Sequence, residues 1–531
     1  MWKNLLPSRI PVPQMNRQTQ GQGPAMTQSS PAAPIWLLVA LQGIVSAASL
    51  VVEIVAGRMI APYVGMSLYT WTAIIAVVLA GFSAGHWWGG RIAERDSPAA
   101  LRRTGWAIVG AALTTGGAVL LLRQVAGPVL EAVSQPMAAI TILAAAVFFL
   151  PSFFAGVPAP VLSIVAIRAG GRSGHALGAM FAAGALGAIA GTLLAGFLFI
   201  SWLGTKLTLA VVTACYAIVA AILFRLAARP GIGAPALAAL VAALGLAGGG
   251  LALPRICDTE SQYFCIRTVE LVPEAPGSVR LMVLDHLAHG ISGRDDPTLA
   301  YTEHSAMLDG ITRMRMQDRA FRAYLIGGGS YSVPRIWAAR ASGSVTVAEI
   351  DPQVTQAAAR DFWFDPATTE VLHEDARRAL SRRPEARFDV VVGDAFHDIA
   401  VPAHLVTREF FELVRDRLVE DGIYVMTLID HADRLRALAA IVATLREVFP
   451  AVEVWTEMRP PLPGERRVFA LVAEQTPSPV HGLTLRVPEP RSFGALDDSF
   501  IEGLLSEQAP PVLTDDYAPI DRLLGPGKLI D

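Results

Sequence analysis

Charged residues are scarce in this chain. Of its 531 residues 17% are Asp, Glu, Lys or Arg and 53% are hydrophobic, whereas a soluble domain is about one quarter charged. Cysteine is scarcer still. Three of them exclude a disulfide-rich scaffold. No stripe of basic residues interleaved with aromatics accompanies the net charge of −3, which excludes nucleic acid as a partner. Metal-ligand spacing is absent too: His373, His397, His404 and His431 are scattered, so no metal is expected. There is no secretory leader either, because the first apolar run starts only at Ile35, is long, and lacks a convincing cleavage site. Residues 1–34, rich in Gln, Pro and Ser, read as a disordered tail.

What is present is segregation. From Ile35 to Leu253 the chain is almost wholly Ala, Leu, Val, Ile, Gly and Phe, and from Arg255 onward charge returns at soluble density. A spanning helix needs about 20 apolar residues, since unpaired backbone groups in hydrocarbon cost several kcal/mol each. That criterion gives about seven spans, near residues 35–55, 69–88, 105–122, 137–165, 176–199, 206–224 and 234–253. The fourth holds Pro151, Pro158 and Pro160 and is expected to kink. The seventh, rich in Ala and Gly, is the weakest. Basic residues favour the cytoplasmic face. Lys3, Arg9 and Arg17 precede the first span; Arg91, Arg95, Arg102 and Arg103 follow the second, Arg168 and Arg172 the fourth, Arg225 and Arg229 the sixth. The N-terminus is therefore expected inside a cell (inner) membrane. Seven spans place the second half outside, and a re-entrant last segment would place it inside. Gly174 with Gly178, and Gly187 with Gly191, are spaced for close helix approach, within one chain or in a homo-oligomer. Glu53 is the notable acid of the first span, and His86, Trp87, Trp88 and Arg91 look like an interfacial anchor. Cys215 reads as packing. Cys257 and Cys265 read as two thiols, with a disulfide as the alternative.

The second half alternates strands and helices, the pattern of a parallel doubly wound sheet. Strands are expected at 279–285, 323–326, 344–350, 390–392, 422–428, 452–455 and 467–473, and helices at 303–316, 331–340, 354–362, 408–418 and 431–449. Chemistry in such folds sits at the carboxyl edge of the sheet. There Gly327-Gly328-Gly329 makes a turn that lets backbone N–H groups approach a ligand. Glu349, about 20 positions on, can accept from a ribose diol. Asp375 stands where an adenine amino group would need an acceptor. Asp394, at the end of its strand, can orient or deprotonate an amine, or simply cap a helix.

The runs Tyr324–Gly329, Val347–Asp351, Phe388–Asp394 and Val406–Phe411 together resemble spermidine synthase, over roughly Ser261 to Glu474. Glu53–Arg58 and Leu513–Pro519 extend the likeness to the membrane-fused spermidine synthase-like proteins of bacteria. The resemblance implies a small β element over 255–322 and a Rossmann-like, methyltransferase-type domain over 323–531, behind a transmembrane domain at 35–254. It implies aminopropyl transfer from decarboxylated S-adenosylmethionine to a polyamine such as putrescine. Gly327, Gly328, Gly329, Glu349 and Asp375 would then hold the nucleoside, Asp394 would take the proton, and Tyr301, Glu303 and His397 would lie on the substrate side. Ser330 stands where the family carries an acid after the glycines, and His397 where it carries a second acid. Methyl transfer from S-adenosylmethionine, a lipid-borne acceptor, and a transporter with a non-catalytic sensing domain therefore stay open.

Overall fold

The computed structural model describes residues 34–170, 173–227, 232–272, 277–396 and 400–525. The expected tail, Arg172, Arg229 and His397 lie outside them. The apolar half forms α1 (Ile35–Val64), α2 (Leu68–Ala93), α3 (Ser97–Ala132), α4 (Pro136–Gly156), α5 (Pro158–Gly170), α6 (Ser173–Leu194), α7 (Ile200–Leu226) and α8 (Ala234–Ala252). The overlong fourth span breaks between α4 and α5, where Pro158 removes a helix hydrogen bond.

Among the described residues six helices are long and apolar enough to cross a membrane, and one of them, Ser173–Leu226, has 54 residues. That length would reach about 80 Å, against a hydrocarbon core of about 30 Å. Gly204 resolves the mismatch. Its φ of 72° and ψ of 174° are non-helical, and the chain doubles back there. On one side α6 runs parallel to α1, with Gly187 against Gly43 and Gly191 against Ala47. On the other, α7 runs antiparallel to α3, with Gly116 against Thr213 and Gly105 against Phe224. Among the described residues the helices thus run through the bundle seven times. Gly187 and Gly191 serve internal packing, whereas nothing within 4 Å faces Gly174 or Gly178. Glu53 is half buried in α1, and Arg91 stacks over Trp87 at 3.7 Å.

The passes separate two ends. Arg168 donates to Ala93 O at 3.0 Å and Arg95 O at 2.5 Å, which fixes the end where α2 and α5 finish. At the opposite end Arg58 of α1 donates to Tyr263 O at 2.5 Å and Ser261 O at 2.9 Å. Here Lys206 also donates to Leu253 O at 2.7 Å, and Thr205 donates through N and Oγ1 to the Glu260 carboxylate at 2.7 and 3.0 Å. These bonds seat a hairpin made of β1 (Thr259–Glu260) and the start of β2 (Cys265–Val272). Cys257 and Cys265 close it as a disulfide, with Cα atoms 5.2 Å apart. The reading as two thiols is corrected, because antiparallel pairing of Glu260 with Cys265 brings the segment before β1 back beside β2.

β1 and β2 continue into β3 (Val279–Leu284) and β4 (Leu287–Gly293) as a four-stranded antiparallel sheet. After α9 (Glu303–Met316) come β5 (Phe321–Ile326), α10 (Ser332–Ala339), β6 (Gly343–Ala348), α11 (Pro352–Asp361), β7 (Glu370–Leu372), α12 (Ala376–Ser381), β8 (Phe388–Gly393), α13 (Arg408–Arg415) and β9 (Leu418–His431). The chain ends with α14 (Arg436–Arg446), β10 (Ala451–Glu457), β11 (Arg466–Glu474), β12 (Gly482–Val487), β13 (Glu489–Ala495), α15 (Asp498–Gln508) and α16 (Ile520–Leu524). The larger sheet has nine strands in the order β12-β13-β10-β11-β9-β8-β5-β6-β7. Strands β5 to β9 pair in parallel, as helical crossovers require. From β11 outward every pair is antiparallel. The purely parallel sheet is thus corrected to a mixed one: the connection from β10 to β11, Met458–Glu465, is a Pro- and Gly-rich loop with no room for a crossover helix.

Candidate active site

A cavity of about 400 Å³ opens at the carboxyl edge of the parallel strands, roofed by the small sheet. Glu349, Asp375 and Asp394 all line it, together with Gly327 and Gly329. The glycine turn is steric in origin. Gly327 has φ 91° and Gly329 φ 51°, and a Cβ on Gly327 would stand 2.6 Å from Asp394 O. Only glycine lets β5 end against the end of β8.

Glu349 follows β6 and is buried. One carboxylate oxygen accepts from Gly328 N at 2.8 Å and the other from Asp351 N at 2.9 Å. Burial pushes its carboxyl above the usual range, and the backbone donors of Asp351 and Gly328 oppose that. The carboxylate therefore holds the turn in shape and keeps free lone pairs for a diol. Asp375 caps α12 by accepting from Arg378 N at 2.9 Å. Its other oxygen accepts from His404 Nε2 at 2.7 Å, and that bond holds its carboxyl below the usual range. Asp394 ends β8 and accepts from Thr427 Oγ1 at 2.5 Å. Burial pushes its carboxyl up, opposed by His304 and by the Thr427 hydroxyl. A buried carboxyl of raised pKa beside a cavity is suited to receive a proton near neutral pH.

Tyr301 and Glu303 do not line the cavity. Tyr301 packs against Gly293, and Glu303 pairs with Arg491 at 2.7 Å. His304, the next residue and about 100° further round α9, lines the cavity instead. Gly328 contributes its N–H to Glu349 rather than a wall. Among the wall residues that sequence reasoning missed are Phe264, Leu284, Leu287, His289, Ile429 and Val468. They arrive from four strands and a hairpin, so no local spacing announces them. Nδ1 of His289 lies 3.0 Å from Leu287 O. Because a carbonyl can only accept, Nδ1 carries the proton and Nε2 is left as an acceptor without a partner among the described residues. Burial lowers this imidazole to about 4, so it is neutral at pH 7.

Residues 320–479 match the family described as spermine/spermidine synthase domain. A polyamine aminopropyltransferase of Vibrio vulnificus is 28% identical over 224 residues, 38% of this chain and 69% of that one. Another, from Moorella thermoacetica, is 30% identical over 156 residues, 28% of this chain and 54% of that one. The crystal structure of a probable spermidine synthase from Corynebacterium glutamicum matches at 21% identity and a TM-score of 0.42, covering 49% of this chain and 96% of that one. The glycine turn and the strand-end acids thus lie inside the stretch, residues 320–479, that matches the spermine/spermidine synthase domain family, behind a helical half with apolar candidate spans, and the chain is similar there to bacterial polyamine aminopropyltransferases.

Proposed function

We propose that the chain is a membrane-bound aminopropyltransferase-like enzyme, which alkylates an amine with decarboxylated S-adenosylmethionine; putrescine is the reference acceptor. The observation that carries this reading is the convergence of Glu349, Asp375 and Asp394 on one cavity above the glycine turn. In the proposed reaction the nucleoside lies along the ends of β5, β6 and β7, with Glu349 accepting from the ribose and Asp375 from the adenine amino group. A neutral amine attacks the carbon next to the sulfonium. The C–N bond forms, the C–S bond breaks, its electron pair returns to sulfur as a neutral thioether, and Asp394 takes the proton from nitrogen. Holding the two reactants in line supplies much of the acceleration, and the positioned base adds about 10²–10⁴-fold.

The test is turnover by the full chain in nanodiscs, following thioether release from decarboxylated S-adenosylmethionine and from S-adenosylmethionine in parallel. Activity with the first donor supports aminopropyl transfer. Activity with the second alone reassigns the chain as a methyltransferase. Failure of either nucleoside to bind the folded protein ends the transferase reading.

The same reading extends to the compartment. Arg91, Arg95, Arg102, Arg103, Arg168 and Arg225 lie at the helix ends away from the catalytic half, the arrangement expected when those ends face the cytoplasm. The Cys257–Cys265 disulfide agrees with an oxidising space around the catalytic half. A reporter fused after Asp531 tests this: cytoplasmic signal alone overturns it.

A further inference from the structure

The ends of the strands divide the cavity. Glu349 and Asp375 follow β6 and β7, on one side of the glycine turn, and Asp394 follows β8 in the middle. On the far side of Asp394 the sheet contributes Thr427, Ile429 and Val468 from β9 and β11, and Thr427 already donates to Asp394. The roof over the cavity contributes Phe264, Leu284, Leu287 and His289. Beyond Asp394 the described walls are therefore mainly aliphatic and aromatic, with Thr427 bonded to Asp394, the neutral His289 and His304. A diamine whose attacking nitrogen is neutral still carries a second ammonium, and a cation held there loses its hydration with no charged partner among the described residues of these walls. An alkyl chain in the same place gains by burial.

Resting on the transferase reading above, we propose that the acceptor is a monoamine on an apolar body, its alkyl part held by Phe264, Leu284, Leu287, Ile429 and Val468 and its amine turned to Asp394. His289 adds a neutral acceptor for an N–H group in the cavity. The bond changes are those of the parent reaction: the amine nitrogen gains the aminopropyl carbon and gives its proton to Asp394, and sulfur keeps the electrons of the broken bond. One wall of the cavity touches the helical half. Tyr263 and Phe264 line it, and Arg58, near the end of α1, donates to Tyr263 O. Free alkylamines and amines borne by bilayer lipids share the required chemistry, and the experiment separates them.

The full chain in phosphatidylcholine nanodiscs is saturated with methylthioadenosine, the thioether product. Propylamine, butylamine, pentylamine, hexylamine, putrescine and spermidine are then titrated against its thermal midpoint, and the same amines are compared in turnover. Affinity is expected to rise about fourfold per methylene among the monoamines, with hexylamine at least tenfold ahead of putrescine in kcat/KM. In nanodiscs containing phosphatidylethanolamine, an alkylated lipid detected by mass spectrometry assigns the bilayer as the source, and its absence beside hexylamine turnover assigns a free amine. Preference for putrescine or spermidine overturns the proposal and leaves the transferase reading intact. Failure of methylthioadenosine to bind sinks the transferase reading itself. Leu287→Glu and Ile429→Glu, on opposite walls, are each expected to shift preference at least tenfold toward putrescine. No shift in whichever variant folds counts against the assigned walls.

Discussion

Glu349→Gln tests whether one buried carboxylate both shapes the glycine turn and holds the nucleoside. Each oxygen of Glu349 accepts one backbone N–H, from Gly328 at 2.8 Å and from Asp351 at 2.9 Å. A glutamine has one acceptor oxygen, so its NH₂ must face the second backbone donor. A hydrogen bond to a charged group contributes about 1.5–3 kcal/mol and a neutral one about 0.5–1.5 kcal/mol. One charged bond is therefore lost and the other is reduced to a neutral bond, a gross loss of about 2.5–4.5 kcal/mol. Some of this returns, because the neutral amide escapes the burial that raises the Glu349 carboxyl. A net loss of about 1.5–3 kcal/mol in the turn corresponds to roughly 10–150-fold weaker nucleoside binding. Calorimetric titration of the full chain in detergent with methylthioadenosine measures it directly, with the thermal midpoint as the check on folding. Affinity within twofold of the parent in a folded variant would refute the argument. Glu349→Asp is expected to behave like Glu349→Gln despite its charge, since the shorter side chain cannot span both donors.

Four further outcomes follow from other contacts. Asp394→Asn keeps an acceptor for Thr427 Oγ1 and removes the base, so turnover should fall by about 10²–10⁴-fold while methylthioadenosine affinity is unchanged. Because burial raises the Asp394 carboxyl, its base form appears only above that raised pKa. Turnover of the parent should therefore rise with pH through this ionisation, and a flat rate from pH 4 to 8 would exclude Asp394 as the base. The Cys257–Cys265 link closes a loop with a sequence separation of 8, which chain entropy values at about 2.5 kcal/mol. Reductant should lower the thermal midpoint of the parent but not of Cys257→Ser/Cys265→Ser. Gly187→Leu would drive a side chain into the backbone of Gly43 and should cost at least about 1–3 kcal/mol. Gly174→Leu, which meets open space, should leave the midpoint unchanged.

Much of the second half was legible because its signals are local. Val-rich runs at 344–348 and 390–392 mark buried strands, and Glu303–Met316 was bounded to the residue by its amphipathic spacing. The acids were legible for a related reason: a parallel sheet delivers the residue after each strand to one edge, so strand ends locate Glu349 and Asp394. The hairpin β12–β13 was not, since Pro488 and Pro490 around its turn speak against strands and only pairing with β10 supports it. Nor was the exchange of Glu303 for His304, which depends on the rotation of α9 against β12 and β13. The roof of the cavity was hidden for the most general reason, that Phe264 and Val468 are separated by some two hundred residues and meet only when both sheets have formed.

The junction between the halves shows why the roof matters to chemistry as well as to shape. Ser261 sits in the hairpin that α1 and α7 grip through Arg58 and Thr205, and its hydroxyl donates to Asp351. Asp351 caps α11 by accepting from Gln353 N at 2.9 Å, and its own N–H donates to Glu349. The next residues of the hairpin, Tyr263 and Phe264, are walls of the cavity. A displacement of α1 against α7 thus reaches the carboxylate that shapes the glycine turn through three successive hydrogen bonds, from Arg58 to Ser261 O, from the Ser261 hydroxyl to Asp351 and from Asp351 N to Glu349. The geometry of this junction is in this arrangement part of the geometry of the proposed nucleoside site. An active site built this way should lose nucleoside affinity when Arg58 is replaced by Ala, although Arg58 lies outside the cavity, and an unchanged affinity would mean that the two halves are joined mechanically but not coupled.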